Sequence, residues 1–173
     1  DASGNSSLSA ALVGVNGVQD VLRQAEVVRG AGDHLVNRWW GAATVMMGAA
    51  QAMIGNTAAA RMSLESALPV IGDLPGFHAA ALAHLALLDF GDGDDEGGLT
   101  RSAQARSVAD SHDLCDVVPM VVVYAVSAVT AARTGDTDAA RAAVADTERL
   151  LDRLGLLAAR TALMGHGLLA WTA

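Results

Sequence analysis

The stretch that decides the fold is GAAQAMIGNTAAARMSLESAL, residues 48–68. Two alanine-rich segments are separated by Gly55 and Asn56, a pair of residues typical of a turn. Glycine readily takes the left-handed conformation that ends a helix, and an asparagine side chain can cap the start of the next helix. We therefore predict two helices joined by a tight turn at Gly55, with Asn56 capping the second helix.

The spacing of small residues in this stretch recurs further along the chain. Gly48, Gly55, Ala60 and Ala67 lie 7, 5 and 7 residues apart. The same spacing selects Ala86, Gly93, Gly98 and Ala105, then Ala128, Gly135, Ala140 and Thr147, and more weakly Ser6, Val13, Val18 and Ala25. Because small side chains let two helices approach to roughly 8–10 Å, these columns predict helix crossings.

Apolar residues recur at helical spacing along the chain, and no stretch alternates for long enough to predict a strand. Glycine-rich segments such as 91–98 predict the breaks between helices. We expect an all-α fold of about nine helices. Four antiparallel pairs are predicted at roughly residues 5–33, 37–73, 76–112 and 117–154, with a capping helix at 157–172. Together they would form a single helical-repeat domain, 1–173, which we interpret as a fragment of a larger protein.

The 7, 5, 7 spacing and the stretch at 48–68 resemble tetratricopeptide repeats, and AAVADTERL at 142–150 is similar but weaker. That family repeats every 34 residues, whereas the units here lie 42, 38 and 42 residues apart. Longer repeats with Gly-Asn or Gly-Asp turns and an alanine-rich composition resemble the sensor arm of MalT-like or LuxR-type bacterial regulators. The resemblance implies a right-handed α-α superhelix, a solenoid whose first helices line a concave groove.

Composition excludes several classes of protein. All eleven basic residues are arginine, so a Walker A loop, a protein-kinase lysine and a Schiff-base lysine cannot be formed. The formal net charge of -8 argues against direct binding of nucleic acid, which requires clustered positive charge. The single cysteine, Cys115, excludes an internal disulfide, so we expect a cytoplasmic protein.

Two segments, 39–54 and 117–132, contain no charged residue over their whole length. A membrane-spanning helix needs about 20 apolar residues, whereas apolar runs of about 10–14 are usually buried helices. These segments fall between the two lengths, and charged, turn-like sequence recurs between them. We interpret both segments as buried helices of a soluble protein, with a membrane span as the alternative.

Three motifs that could carry chemistry are incomplete. The acidic loop at 92–96 would need a glutamate at the twelfth position of a calcium loop, where Ala103 stands. The five histidines are never three or four residues apart, so no helix face presents a pair of metal ligands. The kinase-like triplet at 89–91 has no lysine or catalytic loop to act with. We therefore expect no catalysis, no metal and no cofactor, and we interpret Cys115 as incidental.

The resemblance to tetratricopeptide repeats implies one binding surface, the groove lined by the first helices. Its candidate ligand-binding residues are Val45, Met53, His84, Leu87, Phe90, Val122, Tyr124, Val129 and Arg133. Most of these side chains are apolar, and the polar groups of His84, Tyr124 and Arg133 could orient a ligand. Such a groove suits an apolar ligand or helix; in the alternative interpretation it is closed and belongs to the core.

The predicted function is a non-catalytic binding module of a bacterial signalling or transcriptional regulator. Its partner would be another protein, a neighbouring domain of the same polypeptide or a small effector, and binding would shift the curvature of the array. We expect no nucleic acid and no membrane as partners. A constitutive protein-interaction scaffold is the alternative, and a small helical enzyme is a more remote one.

Overall fold

The computed structural model describes residues 18–30 and 38–154, and within these ranges the chain is helical with no strand. The helices are α1 (Val18–Gly30), α2 (Arg38–Met53), α3 (Thr57–Ala67), α4 (Pro75–Asp92), α5 (Asp95–Ser111), α6 (Met120–Arg133) and α7 (Thr137–Leu154). A short 3₁₀ turn, Leu68–Val70, follows α3. The prediction of an all-α chain is confirmed for this part of the molecule.

Six of these helices pack as three hairpins, which we call the first (α2 and α3), second (α4 and α5) and third (α6 and α7) hairpins. The first helices of successive hairpins are in direct contact, α2 with α4 and α4 with α6. In addition, α4 contacts α3, α6 contacts α5, and α1 packs on α2. The predicted capping helix at 157–172 and the predicted helix before α1 lie outside the described residues.

Each hairpin turn contains a glycine in the left-handed conformation. Backbone φ is +80° at Gly55, +82° at Gly93 and +78° at Gly135. In every turn the glycine N–H donates to the carbonyl three residues earlier, and the N–H of the next residue donates at 2.9 Å to the carbonyl five residues earlier. These bonds satisfy carbonyls at the helix end that would otherwise lack a partner. The predicted left-handed turn is confirmed in all three hairpins.

The residue that follows each glycine caps the second helix of its hairpin. Its side-chain oxygen accepts a hydrogen bond from the N–H three residues later, at 3.4 Å for Asn56, 2.9 Å for Asp94 and 3.0 Å for Asp136. Such a bond satisfies one of the free N–H groups in the first helical turn. One local device, a left-handed glycine followed by a capping side chain, therefore makes every hairpin turn in the described chain.

Two glycines of the predicted columns, Gly48 and Gly98, mark places where helices touch, whereas the column of turn glycines does not. A Cβ atom on Gly48 would lie 2.6 Å from Leu64 Cγ, and one on Gly98 would lie 2.4 Å from the Phe90 ring. Real Cβ atoms do not approach other heavy atoms so closely. Only glycine therefore fits at these two crossings, the first between α2 and α3 and the second between α4 and α5.

The two uncharged segments form most of α2 and α6, which supply much of the core. Of the three apolar clusters formed by the described residues, one joins α1 to α2, one joins α2 and α3 to α4, and the largest joins α4, α5, α6 and α7. A helix that is apolar on every side is normally buried on every side, as α6 is here. Among the described helices, none has the length and apolar character needed to cross a membrane.

Candidate functional site

Six of the nine predicted groove residues are buried: Val45, His84, Phe90, Val122, Tyr124 and Val129. Leu87 is half-buried, whereas Met53 and Arg133 are exposed. The structure brings Leu87 and four of the buried residues into the largest apolar cluster, but Val45 belongs to the cluster between α2, α3 and α4. These burials favour the interpretation in which much of the predicted groove is part of the core.

Arg133 is engaged in holding the second and third hairpins together. Its guanidinium lies 4.8 Å from the centre of the Phe90 ring and forms an ion pair with Asp95 at the start of α5. A guanidinium above an aromatic ring is attracted by the negative face of the ring. The two predicted groove residues Phe90 and Arg133 are therefore in contact with each other.

His84 is buried in the middle of α4, with 6% of its surface exposed. Removing the imidazolium from water disfavours its charged form, so burial lowers the pKa of His84 to about 4. The imidazole is therefore neutral at neutral pH. It brings no positive charge to the interior of the helical array.

A cleft of about 420 Å³ opens at the junction between the second and third hairpins. It lies between the loop that follows α5, the tyrosine of α6 and one face of α7. Its lining residues are Cys115, Asp116, Tyr124, Asp146, Arg149, Leu150 and Arg153. The four residues from α7 follow the spacing i, i+3, i+4 and i+7, which places them on the same face of the helix. The volume falls within the range of roughly 300–1,000 Å³ that is usual for small-molecule sites.

Two lining residues of this cleft, Leu150 and Tyr124, are buried, and we call them its floor. Leu150 is 3% exposed and Tyr124 is 9% exposed. The Tyr124 hydroxyl donates a long hydrogen bond of 3.5 Å to the carbonyl of Cys115, and the guanidinium of Arg106 lies 5.2 Å from the ring centre. Burial raises the pKa of Tyr124, so its phenol stays protonated and can donate a hydrogen bond at neutral pH.

The walls of the cleft carry two ion pairs. Arg149 pairs with Asp146 on α7 at 2.7 Å, and Arg153 pairs with Asp116 across the cleft. The four charges sum to zero. A guanidinium has five N–H donors, and the hydrogen bond to Asp146 uses one of those of Arg149. Each ion pair therefore combines a carboxylate with a guanidinium, whose remaining N–H groups can donate hydrogen bonds to a ligand.

Of the seven residues that line the cleft, only Tyr124 was predicted from the sequence, and Cys115 was interpreted as incidental. The structure places Cys115 on the exposed rim of the cleft. A signal was present in α7, because the residues at 146, 149, 150 and 153 share a helix face. The loop that faces them lies about thirty residues earlier in the chain, so the pattern within α7 could not reveal a cleft.

A second polar cluster closes the junction between the first and second hairpins. The buried carboxylate of Asp89, on α4, accepts a hydrogen bond from Arg61 of α3 at 2.7 Å. Its other oxygen lies 3.3 Å from Arg101 of α5, as an ion pair without hydrogen-bond geometry. The hydrogen bond to Asp89 raises the pKa of Arg61 above its usual value. Asp89, the first residue of the kinase-like triplet, therefore joins α3, α4 and α5.

Within the described residues, no group of three or more histidine, cysteine or acidic side chains is placed to hold a metal ion. Comparisons of the chain with protein families, curated proteins and solved structures found no match. The function of the cleft must therefore be inferred from its own geometry and charges.

Proposed function

We propose that this chain is a non-catalytic binding module in which an occupant of the cleft changes the packing of two neighbouring helical hairpins. The observation that carries this proposal is the position of the cleft. One wall belongs to the loop that follows the second hairpin, and the opposite wall belongs to α7 of the third hairpin. An occupant therefore contacts both the linker that joins the two hairpins and the third hairpin, and it favours one position of the linker against α7 over others.

The arrangement of the array supports this mechanism. Because α4 packs against α2 on one side and α6 on the other, a change at one junction can alter the course of the whole array. This succession of contacts and the shared turn geometry support a tetratricopeptide-like superhelix. In such an array each unit contacts mainly its neighbours, so small changes in angle accumulate along it.

Binding fits the cleft better than catalysis. A general acid or base must be free to exchange a proton with a substrate, and histidine most often fills that role. Asp116 and Asp146 are instead each paired with an arginine, and the described lining contains no histidine. The charged groups of the cleft are thus arranged for recognition by hydrogen bonds and ion pairs.

We infer that the module is the sensor arm of a cytoplasmic bacterial regulator. The resemblance to MalT-like and LuxR-type regulators supports this inference, and so does the position of the cleft at the linker that joins two hairpins. The occupant would be a small effector, and the change in hairpin orientation would pass to a protein partner or to a neighbouring domain of the same polypeptide.

The test combines ligand discovery with distance measurements. Native mass spectrometry of the purified chain, before and after incubation with a bacterial metabolite extract, identifies retained compounds. In a Cys115→Ser background, spin labels at Gln104→Cys and Glu148→Cys, both at exposed positions, report the distance between α5 and α7 by pulsed electron paramagnetic resonance. Labels at Ser66→Cys and Gln104→Cys provide the matched pair across the first junction.

We expect a retained compound to change the distance between α5 and α7 by about 2 Å, the scale of helix shifts in switching proteins. The distance between α3 and α5 should stay the same, because the Asp89 cluster closes that junction. A compound that binds without changing either distance would favour the constitutive scaffold. Retention of no compound, together with unchanged distances, would contradict the sensor function.

A further inference from the structure

We infer that the cleft binds a small zwitterion of amino-acid or dipeptide size, with its carboxylate on the arginines and its ammonium group on the aspartates. This inference rests on the proposed function, because it identifies the chemical class of the effector. Four features of the cleft support it: the balance of its charges, their spacing, the nature of its floor and its volume.

The charge balance disfavours ligands that carry a single charge. An anion that approaches Arg149 must compete with Asp146, and a cation that approaches Asp116 must compete with Arg153. Because these side chains are exposed or partly exposed, displacing one partner costs little, but a ligand with a single charge then only replaces one ion pair with another and gains little. A zwitterion brings both charges, so every ionic group in the cleft keeps an opposite charge beside it.

The spacing of the charges suits a short ligand. Asp146 and Arg153 are seven residues apart on α7, which corresponds to roughly 10 Å along the helix axis. Consecutive Cα atoms of a peptide lie about 3.8 Å apart, so an amino acid or a dipeptide fits within this distance. A longer peptide would extend beyond the charged walls.

The floor provides for a side chain and for the carboxylate of the ligand. Leu150 and the ring of Tyr124 line the cleft and offer a small apolar surface, since they are 3% and 9% exposed. Among the described residues, the Tyr124 hydroxyl has one hydrogen-bond partner, the Cys115 carbonyl at 3.5 Å, so it can turn to a better acceptor. A ligand carboxylate held by Arg149 would be such an acceptor, because hydrogen bonds to charged groups are the stronger ones.

The experiment measures binding of three matched probes to the purified chain by isothermal titration calorimetry. Glycyl-L-leucine carries both charges, its N-acetyl form carries only the negative charge, and its C-terminal amide carries only the positive charge. L-leucine and its N-acetyl and amide forms provide the same set at amino-acid size. We expect at least one zwitterion to saturate the cleft with a Kd below about 1 mM, and both of its blocked forms to bind at least about tenfold more weakly.

Two variants of α7 locate the binding site. Arg149→Gln should weaken binding of the zwitterion at least about tenfold. Arg141→Gln is the matched control, because Arg141 pairs with Asp138 in the same i, i+3 arrangement but does not line the cleft. That control should bind the zwitterion within about twofold of the original chain. Circular dichroism establishes that both variants keep their helical content.

A third variant tests which end of the ligand meets which charge. Asp146→Asn removes the partner of Arg149 and leaves that arginine free to hold an anion. We expect this variant to bind the N-acetyl probe more tightly than the original chain does, and the zwitterion more weakly. An equal change for both probes would overturn the assigned orientation.

The inference is overturned if neither zwitterion binds saturably, if the blocked forms bind as tightly, or if Arg149→Gln has no larger effect than Arg141→Gln. These failures can be distinguished from failure of the proposed function. A retained compound of another chemical class that moves α5 relative to α7 would keep the sensor function and exclude the zwitterion. A zwitterion that binds in the cleft without moving these helices would keep the ligand class and exclude the sensor function.

Discussion

The two junctions between hairpins are held together in different ways. At the first junction, between the first and second hairpins, the buried carboxylate of Asp89 joins Arg61 of one hairpin to Arg101 of the other. At the second junction, between the second and third hairpins, a neutral hydrogen bond of 2.8 Å runs from Thr130 to Ser102, and the ion pair between Arg133 and Asp95 is exposed to solvent. A polar cleft opens beside it.

This difference shows how one repeating architecture can contain a closed junction and an open one. Both junctions have apolar clusters, so packing alone does not distinguish them. A buried carboxylate is stable only while it keeps its cationic partners, which makes the arrangement at the first junction specific. The paired charges of the second junction face solvent, and they can exchange partners with a ligand at little cost.

The largest expected effect concerns Asp89. Asp89→Ala leaves two arginines without their shared carboxylate, and we expect a loss of about 3 kcal/mol in the free energy of unfolding. Urea denaturation followed by circular dichroism measures it. Asp92→Ala is the control, because Asp92 pairs with the same arginine, Arg61, but is exposed, and it should cost about 0.5 kcal/mol. Equal losses in the free energy of unfolding would show that burial of Asp89 does not strengthen its ion pair with Arg61.

The next effect depends on pH and concerns α4, the helix shared by both junctions. His84 has a pKa of about 4 in the folded chain, against about 6.5 when unfolded. Below pH 6.5 the unfolded chain therefore binds the proton more readily, so stability falls as pH falls from 6.5 towards 4. Between pH 7 and pH 5 we expect His84 to account for a loss of about 2 kcal/mol.

The comparison that isolates this contribution uses His84→Leu. Urea denaturation of both chains at pH 7 and pH 5 gives the pH-dependent loss for each, and carboxylates contribute similarly to both. We expect the variant to lose less stability than the original chain over this interval. Identical losses would contradict a neutral, buried imidazole.

A smaller effect concerns the close approach of α4 and α5 within the second hairpin. Gly98→Ala places a Cβ against the Phe90 ring, and overpacking of this kind should cost about 1.5 kcal/mol. Gly91→Ala is the control, because nothing lies within 4 Å of its added Cβ and the residue is exposed on α4. That change should stabilise the helix by up to about 1 kcal/mol. Thermal unfolding distinguishes the opposite signs.

The smallest effect concerns the second junction itself. Thr130→Val removes the hydroxyl that donates to the buried Ser102 side chain, and we expect a loss of about 1 kcal/mol. Thr134→Val serves as control, because within the described part of the chain the Thr134 hydroxyl donates to carbonyls of α6 alone. If Thr130→Val cost as much as Asp89→Ala in urea denaturation, the two junctions would be equally dependent on their polar contacts.

The hairpin turns could be predicted from the sequence because their causes are local. A glycine at 55, 93 or 135 takes the left-handed conformation without steric cost, and the asparagine or aspartate after it caps a helix that begins one residue later. The predicted break between helices at 91–98 was too long, because the position of one of its glycines depends on a contact with another helix. Helix α5 begins at Asp95 and contains Gly98, whose place is decided by the Phe90 ring of the preceding helix.

Whether the predicted groove is open or closed could not be predicted from local sequence patterns. The apolar character of Val122 and Val129 was visible in the sequence, but apolar residues line open grooves and closed cores alike. Their burial in the largest cluster depends on how closely α4, α5, α6 and α7 approach one another. That approach is set by many side chains together and cannot be assigned to any one position.

By itself, the amino-acid sequence determined the helices, the three hairpin turns and the capping residue at 56, because each depends on residues a few positions apart. Only the tertiary structure showed that Asp89 meets an arginine 28 residues earlier in the chain, and that a loop at 115–116 faces α7. Contacts between residues so far apart depend on how whole helices pack, and that packing produced both the closed junction and the cleft.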